Sequence, residues 1–162
     1  RHSFPTRRSS DLYTLNFVQS CPATPGQDTK EAFVLPISLG LVGANSGAAL
    51  PLQLAGSSEA APQHTLVLTE ASASYSFVNI DSEPVPSLLR GFSAPVVLED
   101  GLNADDLLIL LAHDSDPFNQ WEAGQRLMLQ SAIDAIHQRR ARCEAASVDC
   151  GCSGRAACSP WS

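Results

Sequence analysis

The sequence predicts a mainly β protein: an immunoglobulin-like β-sandwich of about seven strands followed by two α-helices. Three observations carry that reading. Glycine (10) and proline (11) punctuate a 162-residue chain whose aromatic content is only 6%, which favours many short elements joined by turns over long packed helices. From Leu12 to about Glu99 the apolar residues recur every second position wherever they show a period. At Asn103 the period changes to that of a helix.

The first strand is LYTLNFV, Leu12 to Val18, with Tyr13, Leu15 and Phe17 on one face and Thr14 and Asn16 on the other. CPATPGQ cannot continue a ladder and marks a loop. Phe33 to Val42 forms a second apolar run, in which Pro36 points to an edge or a bulge. After the Asn45-Ser46-Gly47 turn, Ala49 to Leu54 reads as a third strand, and Gly56 to Pro62 as a loop. His64 to Glu70 and Ser74 to Ile80 alternate cleanly. Asp81 to Pro86 reads as a proline-rich turn, and Leu88 to Phe92 and Pro95 to Glu99 as the last strands. The Cys-Trp-Cys pattern of antibody domains is absent.

Asn103 suits a helix N-cap, with Asp105 and Asp106 in the first turn beside the positive end of the dipole. A short helix follows over Leu107 to Ala112. Asp116 followed by Pro117 starts a second helix, which is expected to run to about Gln138 and to bury Trp121, Met128, Leu129, Ile133 and Ile136. That face needs partners the chain barely supplies, so an isolated copy should expose it.

The two ends change register abruptly. Residues 1–11 contain FPTRRSSD, which resembles the translation of a sequencing adapter, and are set aside as a non-native or disordered leader. Residues 141–162 are a Cys-, Gly-, Ser- and Arg-rich string without apolar period, expected to be a frameshifted or disordered tail. Between them the sandwich occupies residues 12–101 and the start of a helical domain residues 102–140. The spacing C-x6-C-x-C-x5-C from Cys143 to Cys158 is too irregular for a standard zinc knuckle.

Charge and cysteines narrow the function classes. Seven of the ten basic residues lie at the ends, and the stretch from Leu12 to Gln138 holds fourteen acidic residues against Lys30, Arg90 and Arg126. Such a surface repels a phosphate backbone, so nucleic acid is not an expected partner. Cys21 is alone in the body, and the total of five cysteines is odd, which fits a reducing compartment and a cytoplasmic protein. No apolar run approaches the ~20 residues of a membrane helix, so no membrane partner is expected either.

Candidate chemistry is sparse. His113, Asp114 and Asp116 are close in sequence, but they lie between one helix end and the next start, where carboxylates cap and a histidine meets the negative end of the dipole. Asp105 and Asp106 are adjacent on a helix and diverge by about 100°. His64 and His137 have no carboxylate or cysteine at a diagnostic spacing. Neither G-x-S-x-G, nor G-x-x-x-x-G-K-[ST], nor H-E-x-x-H occurs. No residue is assigned a catalytic, cofactor-binding or metal-binding role.

Three strings carry more. YTLNFVQSCPATPGQ at Tyr13 to Gln27, EPVPSLLRGFSAPVVLE at Glu83 to Glu99 and LLAHDSDPFNQWEAGQRL at Leu110 to Leu127 resemble, in order and spacing, landmarks of the bacterial aminopeptidase N family of zinc gluzincins. The resemblance implies the immunoglobulin-like third domain and the first helices of the C-terminal helical domain. The family's zinc and amine-binding motifs, H-E-x-x-H and G-x-M-E-N, are absent, so the resemblance implies a non-catalytic fragment, inactive alone, whose zinc belongs to the parent hydrolase. Its implied partners are the parent's own catalytic and helical domains, with peptide substrate met only through the parent. Its implied role is that of a spacer seating one domain against the other, held by the turn at Asp116 and by Trp121. The alternative is a free-standing sandwich used for binding or adhesion, which would want an exposed aromatic platform.

Overall fold

A computed structural model describes residues 7–9, 12–28 and 30–149. The chain divides into two compact units, one up to Leu127 and one from Met128.

The first unit is a two-sheet sandwich with helices. Its strands are β1 (Arg7–Ser9), β2 (Leu12–Val18), β3 (Leu35–Gly43), β4 (Ala49–Leu50), β5 (Leu52–Leu54), β6 (Ala60–Ala61), β7 (His64–Leu68), β8 (Ser72–Val78) and β9 (Pro84–Leu88). One sheet runs β1-β2-β8-β5-β6; the other has β3 at its centre, paired with β4, β7 and β9. All pairings are antiparallel. This is the expected mainly β, immunoglobulin-like sandwich followed by two helices.

Alternation fixes the core. Tyr13, Leu15 and Phe17 of β2 meet Leu39 and Leu41 of β3, Leu66 and Leu68 of β7 and Phe77 of β8 in one buried cluster. Opposite β8, Thr14 and Asn16 turn outward and bond Ser76 and Ser74 at 2.9 and 2.6 Å. A one-residue slip would exchange these faces, which is why the register is well specified.

Prolines mislead a sequence reading at two places. Pro36 sits in the central strand β3 without a bulge, because β9 pairs with β3 only from Leu39 onward. On that flank the N–H of Ser38 bonds the Ser93 hydroxyl instead, and Pro36, two residues earlier, needs no donor there. The Asp81–Pro86 segment, expected to be a turn, supplies most of strand β9. The Glu83 carbonyl accepts from Ala44 N–H at 2.8 Å, so odd-numbered residues of β9 face β3 while Pro84 and Pro86 present their missing N–H to the open edge. Of the expected strand Leu88–Phe92 only Leu88 is strand, as the last residue of β9; the chain then leaves through a 3-10 turn at Arg90–Phe92, and Pro95–Glu99 is irregular. The expected third strand is split at Pro51, β4 joining one sheet and β5 the other, as at a sandwich corner.

Sheet β4-β3-β7 with β9 is covered on both faces. Val42 and Val85 point away from the sandwich core and pack with Leu107 and Leu110 of α1 (Ala104–His113) and Ala123 of α2 (Pro117–Asp149). Double coverage explains why Ile37 to Gly43 is buried at nearly every position instead of alternating. Helix α1 starts as its sequence dictates: the Asn103 side chain accepts from Asp105 and Asp106 N–H at 2.8 and 3.0 Å, and the Asp106 carboxylate accepts from Asn103 N–H at 3.1 Å.

In the second unit, α2 continues past the expected end at Gln138 to Asp149. Ala and Arg dominate that stretch, and neither proline nor glycine interrupts it. Met128, Leu129, Ile133 and Ile136 are exposed, as an unpartnered apolar face should be. Trp121 is exposed too, at 57%, so the face of α2 that packs in the first unit is that of Asn119 and Ala123.

Candidate functional site

The segment between β9 and α2 builds a buried polar junction between the sandwich and the helices. Leu89 (φ 56), Gly91 (φ 61) and Phe92 (φ 55) all adopt left-handed backbone conformations around Arg90, a costly arrangement for two residues with Cβ atoms. Its effect is to fold the Arg90 side chain back over β3. Gly40 makes this possible, since a Cβ there would lie 2.6 Å from Arg90 Nε.

Arg90 Nε donates to Ser87 Oγ at 2.9 Å, and Arg90 Nη2 donates to Asp114 Oδ1 at 2.7 Å. The pair is almost completely dry, with 6% and 0% side-chain exposure. Asp114 Oδ1 also accepts the Asp116 N–H at 3.0 Å, and the Asp114 carbonyl accepts from Gln120 Nε2 at 2.8 Å. Asn119, buried on the first turn of α2, donates through Nδ2 to Ser87 Oγ at 2.7 Å and to the Leu88 carbonyl at 2.9 Å. Asp116 Oδ2 accepts from Asn119 N–H and from Gly91 N–H, both at 3.2 Å. One network thus joins the end of β9, the 3-10 turn, the end of α1 and the start of α2. Beyond it, Arg126 grips Asp100 with two bonds of 2.7 and 2.8 Å, which hold its guanidinium above its ordinary pKa.

The residues singled out from sequence fall into place as follows. Asp116 caps α2, as expected. Asp114 is the C-cap residue of α1, but its carboxylate does more than cap: it is the anion of a buried ion pair. His113, the last residue of α1, is exposed and lies against Gly47. Asp106 belongs to the capping box, and Asp105 stands exposed beside it. His64 lies in β7, and His137 is exposed on α2. Cys143 is exposed with a free thiol, while Cys150, Cys152 and Cys158 lie outside the described residues. Arg90, Ser87 and Asn119 were not foreseen; the one available signal was an arginine isolated in the apolar string SLLRGF.

The arrangement ties the end of β9, the 3-10 turn, the end of α1 and the start of α2 to one another. Ser87 Oγ accepts from both Arg90 and Asn119, Asp114 Oδ1 from Arg90, and Asp114 Oδ2 is buried without a partner. Zinc, implied by the resemblance, does not fit these residues. Asp114 and Asp116 are committed to Arg90 and backbone N–H groups, and among the described residues no three His, Cys, Asp or Glu side chains are grouped to hold a metal. Among the described residues no helix is long and apolar enough to cross a membrane.

Fold and junction together describe an immunoglobulin-like module that hands over directly to a helical one. Residues 3–101 match a domain of unknown function with an Ig-like fold, DUF3458, and residues 104–152 match its C-terminal companion, DUF3458_C, described as ARM repeats. The chain belongs to the DUF3458 family. Among curated proteins it is 36% identical to aminopeptidase N of Escherichia coli (strain K12) over 120 residues, 74% of this chain and 13% of that protein. Aminopeptidase N of Haemophilus influenzae is 35% identical over 118 residues, again 73% of this chain and 13% of the relative. A crystal structure of Legionella pneumophila aminopeptidase A in complex with aspartic acid superposes with a TM-score of 0.64 at 27% identity, covering 83% of this chain and 14% of that one. This chain therefore spans only about an eighth of the length of these relatives.

Proposed function

We propose that this chain is a non-catalytic portion of an aminopeptidase N-like zinc metallopeptidase of the cytoplasm, and that it works as a spacer fixing the angle between the sandwich and the helical domain that follows. The parent would remove N-terminal residues from peptides, and its zinc would lie in a preceding domain. The observation that carries the spacer role is the Arg90–Asp114–Asn119–Ser87 network, in which four buried polar side chains join four consecutive elements. A linker meant to flex would leave such groups to water. Buried and mutually bonded, they favour one relative placement of sandwich and helix starts, because any other leaves charges without partners.

The experiment is to make Asp114→Ala in the full-length protein that carries this chain. The spacer role predicts a lower melting temperature and a reduced kcat/KM with bound zinc unchanged. Unchanged melting and unchanged kinetics would contradict it.

A further inference from the structure

Away from the junction, a cavity of about 360 Å³ opens between the start of β9 and the loop leading into α1. Tyr13 lies at its inner wall. The residue is only 4% exposed, and its hydroxyl is buried without any hydrogen-bond partner, an unusual state for a phenol. Burial, reinforced by the Asp106 carboxylate, pushes the phenol well above its ordinary pKa of 10.0, which places that carboxylate within electrostatic reach of the hydroxyl.

The remaining wall is acidic and apolar. Asp106 uses Oδ2 on the Asn103 N–H, and Glu83 stands exposed at the rim without an ion-pair partner among the described residues. Asp100 is neutralised by Arg126. Leu15, Pro84 and Pro86 supply hydrocarbon surface between these groups. Among the residues whose side chains are described, no basic group lines the cavity.

We infer that this cavity is a binding site for an organic cation, a guanidinium or ammonium carried on an aliphatic stem. The Tyr13 oxygen and the second Asp106 oxygen accept from the ligand's N–H groups, Glu83 adds charge at the entrance, and the stem lies along Leu15 and the two prolines. An anion would meet the carboxylates of Asp106 and Glu83, and a neutral guest would leave their charge unmatched. A divalent metal lacks the ligand set. The volume lies within the ~300–1,000 Å³ typical of small-ligand sites. The chemistry is shared by an arginine or lysine side chain and by a free diamine.

The test is a titration of the whole 162-residue chain, followed by calorimetry and by the NMR signals of the tyrosine rings. The probes are N-acetyl-arginine amide, N-acetyl-lysine amide, putrescine and, as the uncharged control, N-acetyl-norleucine amide. Saturable binding of the cations at roughly millimolar concentration is expected, the weak range suited to one small group. It should be weakened about tenfold by Tyr13→Phe or Asp106→Asn and reduced by salt. Preference for the blocked amino acids over putrescine would identify a polypeptide side chain as the guest, and the reverse preference a free amine; either supports the cation site. Tyr13→Phe deletes only an unpartnered hydroxyl and so keeps the fold if Asp106→Asn does not. No saturation, equal shifts with the norleucine control, or binding indifferent to Tyr13→Phe would overturn the site.

Discussion

Removing the Asp114 carboxylate would leave the Arg90 guanidinium buried beneath the start of α2 with only Ser87 to bond. Asp114→Ala should therefore cost ~3–5 kcal/mol in denaturant unfolding, whereas replacing both partners by apolar residues of similar volume should cost far less, since desolvation of both charges is then avoided. Tyr13 predicts the opposite sign. Its unpartnered hydroxyl carries a desolvation cost with no compensating bond, so Tyr13→Phe should raise stability by ~1 kcal/mol at neutral pH. The phenol also predicts a pH dependence. Its folded pKa is raised, so its contribution is intact below the ordinary value near 10 and is lost as pH rises above that, because the unfolded chain releases the proton first. Melting curves between about pH 9 and 11 should fall less steeply for Tyr13→Phe than for the unaltered chain. At this scale the sequence was informative about caps and silent about pairs. Asn103, Asp106 and Asp116 act on backbone groups a few residues away, which spacing reveals. Arg90 and Asp114 are 24 residues apart, and only the crossing of β9 and α1 brings them together.

Elements were legible where one face is wet. Strands β2, β7 and β8 alternate because one side meets solvent or a polar ladder, and α1 is announced by its Asn103 cap and first-turn aspartates; Asn103→Ala should cost ~1 kcal/mol in the same unfolding assay. Strand β9 was hidden because prolines are ordinarily read as turn formers, and only the pairing shows that both face its open edge. Strand β3 was partly obscured by its double burial, which erases the period at its second half. Gly40 there is a packing requirement: Gly40→Ala would push the Arg90 guanidinium off Asp114 and should destabilise by ~1–3 kcal/mol, most of it lost when Arg90 is first replaced by Met. The apolar face of α2 was foreseen, together with its exposure, although Trp121 was also assigned an anchoring role. In this chain Trp121 rests on Phe118, 6.0 Å between ring centroids, and is otherwise exposed.

For the molecule as a whole, the family places an Ig-like segment before a helical repeat segment, and a repeat unit does not bury its hydrophobic face alone. Met128, Leu129, Ile133 and Ile136 should accordingly drive association of the isolated chain as concentration rises. Sedimentation of Leu129→Glu with Ile136→Glu should show less of it. Within the first unit, the buried polar junction should make the sandwich and the helix starts one cooperative body. Native-state hydrogen exchange tests this most directly. Amides of β3 and α1 should open with the same free energy in the unaltered chain and separate in Asp114→Ala, α1 exchanging faster than β3. If α1 already exchanges independently of β3 in the unaltered chain, the junction does not fix the two together and the spacer role fails.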